Sequence, residues 1–362
     1  MEQHQQAPDR DVTEALCEKV RQAAADKTPL HIQGGGTKAF YGRSVEGVAL
    51  STREHRGITH YDPVELVITV RAGTPLAQFE AALDRQNQQL ACEPPHFGSA
   101  ATVGGMVATG LSGPRRPWAG AVRDFVLGTR LITWEGKSLR FGGEVMKNVA
   151  GYDLSRLMVG AQGTLGVITE VSFKVLPKPA AVHGLRLEMT IEAALERLAE
   201  WGRRPMPITA AAYHDGALHL RLEGGESSVA ATASQLGGEA LGNEFWQDLR
   251  EHRLAFFDTG ADGGDSRPLW RLSLPNNTPP LAIEGEVLYD WAGAQRWVRS
   301  DMNPTRLQEE IARAKGHPTC FTPGVAEPFM PLAPTVAKYH KRLKKRLDPH
   351  GIFNPGRLYA EL

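Results

Sequence analysis

Apolar positions along this chain recur with two periods, and the places where one gives way to the other mark its elements. Val12, Ala15, Leu16, Val20 and Ala23 keep helical spacing, which predicts a first helix over residues 11–25. Residues 29–32 and 48–50 read as short strands, and the first of them runs into Gln33-Gly34-Gly35-Gly36-Thr37-Lys38. Residues 64–70 form a β-branched run that stops at Ala72-Gly73-Thr74-Pro75, and residues 76–86 are amphipathic, with Thr74 as the expected cap and proline in the first turn. Residues 125–134 and 137–141 read as strands joined at Glu135-Gly136, residues 152–159 as a short helix capped by Asp153, and residues 166–176 as a strand ended by Pro177 and Pro179.

Past residue 182 a new pattern begins. It predicts a strand over 185–189, a helix over 191–201, a hairpin over 210–222 turning at Asp215-Gly216, helices over 229–236 and 245–256, and strands over 270–274, 281–286 and 295–298. The sum is a small mixed sheet with helices on one face. A basic helix over 335–347 and a turn-rich tail from Asp348 to Arg357 complete the chain, which shows no internal repeat and no low-complexity tract.

Length and composition sharpen this outline. The 362 residues suffice for two domains with a buried core that needs no disulfide. Forty-one Lys and Arg balance 41 Asp and Glu, which removes the long-range field that draws nucleic acid or anionic lipid. No uncharged apolar run is long enough to span a bilayer. The start, MEQHQQAPDR, has neither a basic nor an apolar targeting region, and Cys17, Cys92 and Cys320 stand far apart; both fit a reducing cytoplasm.

Glycine, with 38 residues, is bunched. Gly34-Gly35-Gly36-Thr37-Lys38 has the composition of an anion-cradling loop, in which backbone N–H groups, the Thr37 hydroxyl and the Lys38 ammonium face phosphate oxygens. It lacks the spacing of a P-loop, and a plain glycine-rich turn is the alternative. The second bunch, PPHFGSAATVGGMVATGLSG over 94–113, is irregular and poor in large side chains, so its backbone can approach a flat polar heterocycle closely. On this expectation, valine at Gly104 or Gly105 fills the space the ligand needs. The third bunch, Gly160-Ala-Gln-Gly163-Thr-Leu-Gly166, is not a Rossmann fingerprint: its spacing is wrong, and it precedes a strand instead of following one.

Taken in order, GGGTK, VELVITVRAGTPL, EPP…GSAATVGGMVATGLSG, VMKNVAGYDLSRLMVGAQGTLGVITEVSFKVLPKP and the C-terminal FNPGRLY resemble the vanillyl-alcohol-oxidase-like flavoproteins with a PCMH-type FAD-binding domain. Within that superfamily the chain is most similar to the FAD-binding (E) subunits of bacterial glycolate oxidases. The resemblance is strong over residues 29–180, weak through the middle and moderate over the last thirty. It implies an α+β fold: a PCMH-type FAD-binding domain of two α/β subdomains over 1–180, a small α/β cap domain over 181–330, and a C-terminal helix and NPG tail over 331–362 that returns to the flavin.

Carried over residue by residue, the resemblance assigns FAD pyrophosphate binding to Gly34, Gly35, Gly36, Thr37 and Lys38. It sets Pro94, Gly98, Ser99, Thr102, Gly104, Gly105, Gly110, Ser112 and Gly113 along the ribityl chain and isoalloxazine. Gly160, Gly163, Gly166, Val167 and Ile168 fall on the adenine side, and Asn354 near the flavin ring. No His or Cys stands where some relatives attach FAD, so non-covalent binding is implied. The implied activity is glycolate or other 2-hydroxy acid oxidation, with electrons passed through an iron–sulfur subunit beside a catalytic flavoprotein subunit. Such a complex works in the cytoplasm and meets the inner membrane only through its assembly.

Two departures qualify the activity. Ala161 and Gln162 occupy the middle of a segment that reads GSEGTLG in many catalytic relatives. The HxGDGNxH signature of those enzymes is missing; His214-Asp-Gly-Ala-Leu-His219 imitates it with the wrong spacing and reads better as a hairpin than as a metal site. No metal site and no catalytic base are assigned. An electron-relay or structural flavoprotein subunit without its own turnover is therefore one alternative, and a stand-alone flavin-dependent alcohol or D-lactate oxidase another. Arg115 and Arg116 suit a substrate carboxylate or the flavin edge, with a surface loop as the equal alternative. The basic 335–347 helix reads as a solvated face or a surface for a protein partner, and Trp246, Trp270, Trp291 and Trp297 as core or interface.

Overall fold

The β-branched run ahead of Ala72 becomes the strand Val67–Arg71, buried at its first four positions, in a computed structural model that describes residues 9–143, 152–259 and 265–362. It starts at Val67 and not at residue 64 because Asp62 Oδ1 accepts from the amides of Val64 and Glu65 at 3.0 Å each, and Leu66 (φ 57°) completes the turn. Five antiparallel strands form one sheet in the spatial order Ile58–Asp62, Val67–Arg71, Val167–Lys174, Val126–Ile132, Ser138–Gly142. The expected strand from Phe125 is shortened because Val122–Phe125 is a helical turn. Thr74 does not cap the helix Leu76–Asp84, whose N-cap is Pro75; its hydroxyl is paired with the backbone of Gly57, accepting at 2.9 Å and donating at 3.2 Å.

A second, two-stranded parallel sheet pairs Leu30–Gln33 with Val48–Ser51. The helix Thr13–Asp26 turns Leu16, Cys17, Val20 and Ala23 onto it, and Leu30, Leu50, Ile132, Val167, Ile352 and Phe353 complete that core. The tail is thus part of this sheet: the Leu30 amide donates to the Ile352 carbonyl at 2.7 Å, and the Asn354 amide to the Leu30 carbonyl at 3.1 Å. One compact unit comprises the described residues up to Leu111, Ala121–Pro177 and Pro331–Leu362. The quoted motif segment over 144–151 lies outside the described residues, as do residues 1–8.

The other unit comprises Ser112–Gly120 and Lys178–Met330, so a nine-residue excursion from the first half of the chain belongs to it. Its sheet is larger than the sequence suggests and antiparallel at every recorded pairing. The order is Glu239–Leu241, Ala181–Glu188, Ala217–Gly224, Ile208–His214, Glu286–Asp290, Gln295–Arg299, Leu269–Ser273, His317–Cys320. No strand forms over 281–285, where the preceding Pro279 and Pro280 supply no N–H; the strand begins at Glu286 instead. The helix expected over 245–256 stops at Arg250, because His252 turns left-handed (φ 55°), and a 3₁₀ turn follows at Ala255–Phe257. The helix Ile191–Trp201, the hairpin turn at Asp215-Gly216 and the Asp153 cap, whose Oδ1 accepts from the Arg156 amide at 3.0 Å, agree with the sequence reading. Trp246, Trp270 and Trp297 are buried in this unit. Among the described residues no helix is long and apolar enough to cross a membrane.

Candidate functional site

Within the first unit, the end of the strand Leu30–Gln33 opens into a cleft of about 930 Å³, counting the space continuous with solvent. The glycine loop forms one wall, and the reason for each glycine is visible. A Cβ on Gly34 would strike Thr102 Oγ1, and one on Gly35 would strike the Ala100 carbonyl. At Gly36 nothing lies within 4 Å of that position, but φ is +75°. The amides of Gly34, Gly35, Gly36 and Thr37 donate to no backbone carbonyl among the described residues. Four successive N–H groups beside open space form an arrangement suited to an oxyanion.

The loop's side chains are used differently from the sequence expectation. Thr37 Oγ1 donates to the His96 carbonyl at 2.7 Å, and Lys38 Nζ lies 3.0 Å from the same oxygen. Both therefore brace the loop against residues 94–98, and Lys38 is buried.

A second wall comes from the small-residue stretch, which is not irregular throughout. Val103–Thr109 is a helix whose N-cap, Thr102, accepts from the Gly105 amide at 3.2 Å, and Gly110 (φ 64°) ends it. The helix is held to the strand before it: the Val103 amide donates to the Thr74 carbonyl at 3.0 Å and the Gly104 amide to the Ala72 carbonyl at 2.7 Å. A Cβ on Gly104 would sit 2.7 Å from the Ala72 Cβ and 3.0 Å from its carbonyl oxygen. Gly104 is small because the helix packs tightly on Ala72; its Cβ direction faces protein, which corrects the expectation that valine there fills ligand space.

The third wall joins the Gly160–Gly166 loop to the tail. Asn354, itself left-handed at φ 38°, accepts from the Ile32 amide through Oδ1 at 2.7 Å and donates from Nδ2 to the Gln162 carbonyl at 2.7 Å. Behind it, Lys344 Nζ donates to the Thr164 and Phe353 carbonyls at 2.7 and 2.8 Å and meets Asp348 Oδ2 at 2.7 Å. Burial lowers the Lys344 pKa despite that carboxylate.

Of the sequence-assigned residues, Gly34, Gly35, Gly36, Thr37, Lys38, Thr102, Gly104, Gly105, Gly163, Gly166, Ile168 and Asn354 line this cleft. Pro94, Gly98, Ser99, Gly110 and Gly160 belong to the same unit but not to the lining, and Val167 is wholly buried in the core. Ser112 and Gly113 belong to the other unit. The lining also contains Ile32, Gln33, Thr52, Thr109, Gln162 and Arg357, which the sequence reading did not assign. The last two stand inside motifs already quoted, GAQGTLG and NPGR, and their polarity among small residues was the available signal.

In the other unit, His214 and His219 flank the hairpin turn and belong to ring contacts: His219 stacks on Phe245 with centroids 4.2 Å apart, and His214 meets Phe256 edge-on at 5.8 Å. Burial lowers both pKa values, that of His219 to about 4. No cluster of three His, Cys, Asp or Glu among the described residues could hold a metal ion. Arg115 is buried and paired with Glu223, which also lies 3.3 Å from Arg221, and Arg116 stacks on Trp291 at 4.3 Å. Arg115 is therefore neither a surface residue nor an open carboxylate receptor.

Comparison with known proteins gives this geometry a context. A family model described as FAD binding domain matches residues 11–142. The glycolate oxidase subunit GlcE of Escherichia coli (strain K12) is 56% identical over 97% of this chain and 99% of its own length. A D-lactate dehydrogenase of Archaeoglobus fulgidus is 34% identical over 50% of this chain and 41% of its own. Among solved structures, p-cresol methylhydroxylase with substrate bound superposes with a TM-score of 0.71 at 15% identity, covering 96% of this chain and 87% of the other, which shows the shared fold.

Proposed function

Since this chain belongs to the family of the glycolate oxidase subunit GlcE, an FAD-dependent oxidoreductase family, we propose that it is the FAD-binding subunit of a complex that oxidises glycolate to glyoxylate. The observation that carries this reading is the cleft with four amides at Gly34–Thr37 that donate to no backbone carbonyl among the described residues, and two cations, Lys38 and Arg357, in its wall. The residues present fit the cofactor. Gly34–Thr37 hold the diphosphate, the helix Val103–Thr109 and the Gly163–Ile168 segment flank it, and Asn354 fixes the strand Leu30–Gln33 against the Gln162 backbone. Bound there, FAD supplies a two-electron acceptor for the hydride of a CH–OH group. Binding is read as non-covalent, so acid precipitation of the loaded protein should release the colour.

Electrons then pass to an iron–sulfur subunit. Cys17, Cys92 and Cys320 are each buried, and thiolate clusters need several cysteines together. A catalytic flavoprotein subunit completes the assembly, which works in the cytoplasm and meets the membrane only as a complex. A second reading, a flavoprotein subunit that relays electrons without turnover of its own, is favoured by His214 and His219, which serve ring packing. Purifying the full chain alone and with its partner subunits, recording the visible spectrum and adding glycolate anaerobically tests both. Bleaching of the chain alone supports its own turnover, and bleaching only in the complex supports the relay. A colourless chain that takes up no FAD overturns both.

A further inference from the structure

The helix Pro334–Leu347 carries six Lys and Arg, namely Lys338, Lys341, Arg342, Lys344, Lys345 and Arg346, and no acidic residue. The chain as a whole is neutral, so positive charge is concentrated here. Lys344 is buried and spent on the cleft wall, where its Nζ donates to the Thr164 carbonyl and meets Asp348. The other five are exposed, and among the described residues only Lys341 has an acidic partner, Glu361. At 3.6 residues per turn, Lys338, Arg342, Lys345 and Arg346 fall on one stripe, with Tyr339, 61% exposed, beside Arg342.

The stripe works against the helix that bears it. Lys338, Arg342 and Arg346 succeed one another at i, i+4, as do Lys341 and Lys345, and like charges at that spacing oppose helix formation. Attraction to the negative end of the helix dipole accounts for cations in the last turn, Lys344, Lys345 and Arg346. Lys338 and Arg342 stand ahead of it.

Chemistry limits what can cover this face. A second copy of the chain in a two-fold contact would set cations against cations. A bilayer surface needs a free apolar face beside the charges, and here Leu343 and Leu347 are half-buried. An acidic protein surface neutralises the ladder of cations, and an exposed tyrosine among arginines has the composition of an interface centre.

Resting on the complex proposed above, we propose that the outer stripe of the helix Pro334–Leu347 is the docking surface for an acidic patch on a partner subunit, with Tyr339 and Arg342 at its centre. Because Lys344 fastens the inner side of the same helix to the Thr164 carbonyl, the partner sits one helix diameter, about 10–12 Å, from the loop that lines the cleft.

The test measures association of the FAD-loaded full chain with the purified partner subunits, immobilised together, by biolayer interferometry. Wild-type affinity should fall as salt is raised. Arg342→Glu combined with Arg346→Glu should weaken association about tenfold or more, and so should Tyr339→Ala, with bound flavin unchanged. The control pair Lys19→Glu and Lys27→Glu makes the same charge change at exposed positions elsewhere and should stay within about twofold. Unchanged affinity of the first pair, or an equal loss in the control pair, overturns the proposal. So does a first pair that keeps partner binding but loses binding to phosphatidylglycerol vesicles or self-association in sedimentation, since the stripe then serves a membrane or a second copy. Should that pair not fold, Tyr339→Ala decides alone. A wild-type chain that does not associate with the partner subunits overturns the complex reading as well, a result distinct from wild-type association that the variants leave unaffected.

Discussion

The Lys344 ammonium and the Asp348 carboxylate meet at 2.7 Å one helical turn apart, both buried, beneath the tail that closes the cleft. Asp348 also accepts from the amides of Ile352 and Phe353 at 3.0 and 2.8 Å. Removing the cation leaves a buried carboxylate without its counter-charge. Lys344→Met should therefore destabilise the chain by about 3–5 kcal/mol. Urea unfolding at neutral pH checks this; a loss below about 1 kcal/mol would mean that the two amides alone satisfy Asp348.

Asn354 supports two backbone groups at once and does so in a left-handed conformation that asparagine tolerates better than most residues. Asn354→Ala orphans the Ile32 amide and the Gln162 carbonyl and should cost about 2–4 kcal/mol. Asn354→Asp keeps the acceptor for Ile32 but sets a second acceptor against the Gln162 carbonyl, so it should rescue little. A paired set of denaturation curves in which aspartate matches the wild type would refute this division of labour.

Gly104 and Gly36 separate packing from ligand space. Gly104→Val drives a side chain into Ala72 and should lower the stability of the flavin-free protein by about 2 kcal/mol or more. Gly36→Ala meets nothing within 4 Å and imposes only the positive-φ penalty, about 1 kcal/mol. Its main effect should be on flavin uptake. Thermal melts of apoprotein together with bound-flavin stoichiometry distinguish the two; the reverse ranking of melts would contradict the contacts described.

His219 gives the chain an acid-sensitive spot. Its pKa falls to about 4, first through burial and then through His214 and Arg186. Between its unfolded value and about 4 the unfolded chain binds a proton that the native state refuses, so stability is lost as pH falls through that window. From pH 7 to pH 5 this one group accounts for about 2 kcal/mol. His219→Phe, which can keep the stacking on Phe245, should flatten that limb of the stability profile. An unchanged pH slope would show that other groups set it.

Elements written in local periodicity were legible in the sequence: the helix Ile191–Trp201, the Asp215-Gly216 turn and the Asp153 cap each depend on neighbours a few residues away. What escaped depends on distant partners. The helix Val103–Thr109 contains two glycines, poor helix formers, and is held by the carbonyls of Ala72 and Thr74, which lie about thirty residues back along the chain. Thr37 composes well as a phosphate donor, yet its proton goes to the carbonyl of His96. Arg357 carries no propensity signal at all; its five acceptors lie far back along the chain.

The bond between the Ile32 amide and Asn354 spans 322 residues. A ribosome working at about 5–20 residues per second needs roughly 16–64 s to deliver the second partner after the first. Throughout that interval the nascent first unit lacks the residue that ties Ile32 to Gln162, so flavin loading at this cleft should follow synthesis of Asn354. Truncation upstream of Asn354 should therefore yield a polypeptide that retains little flavin.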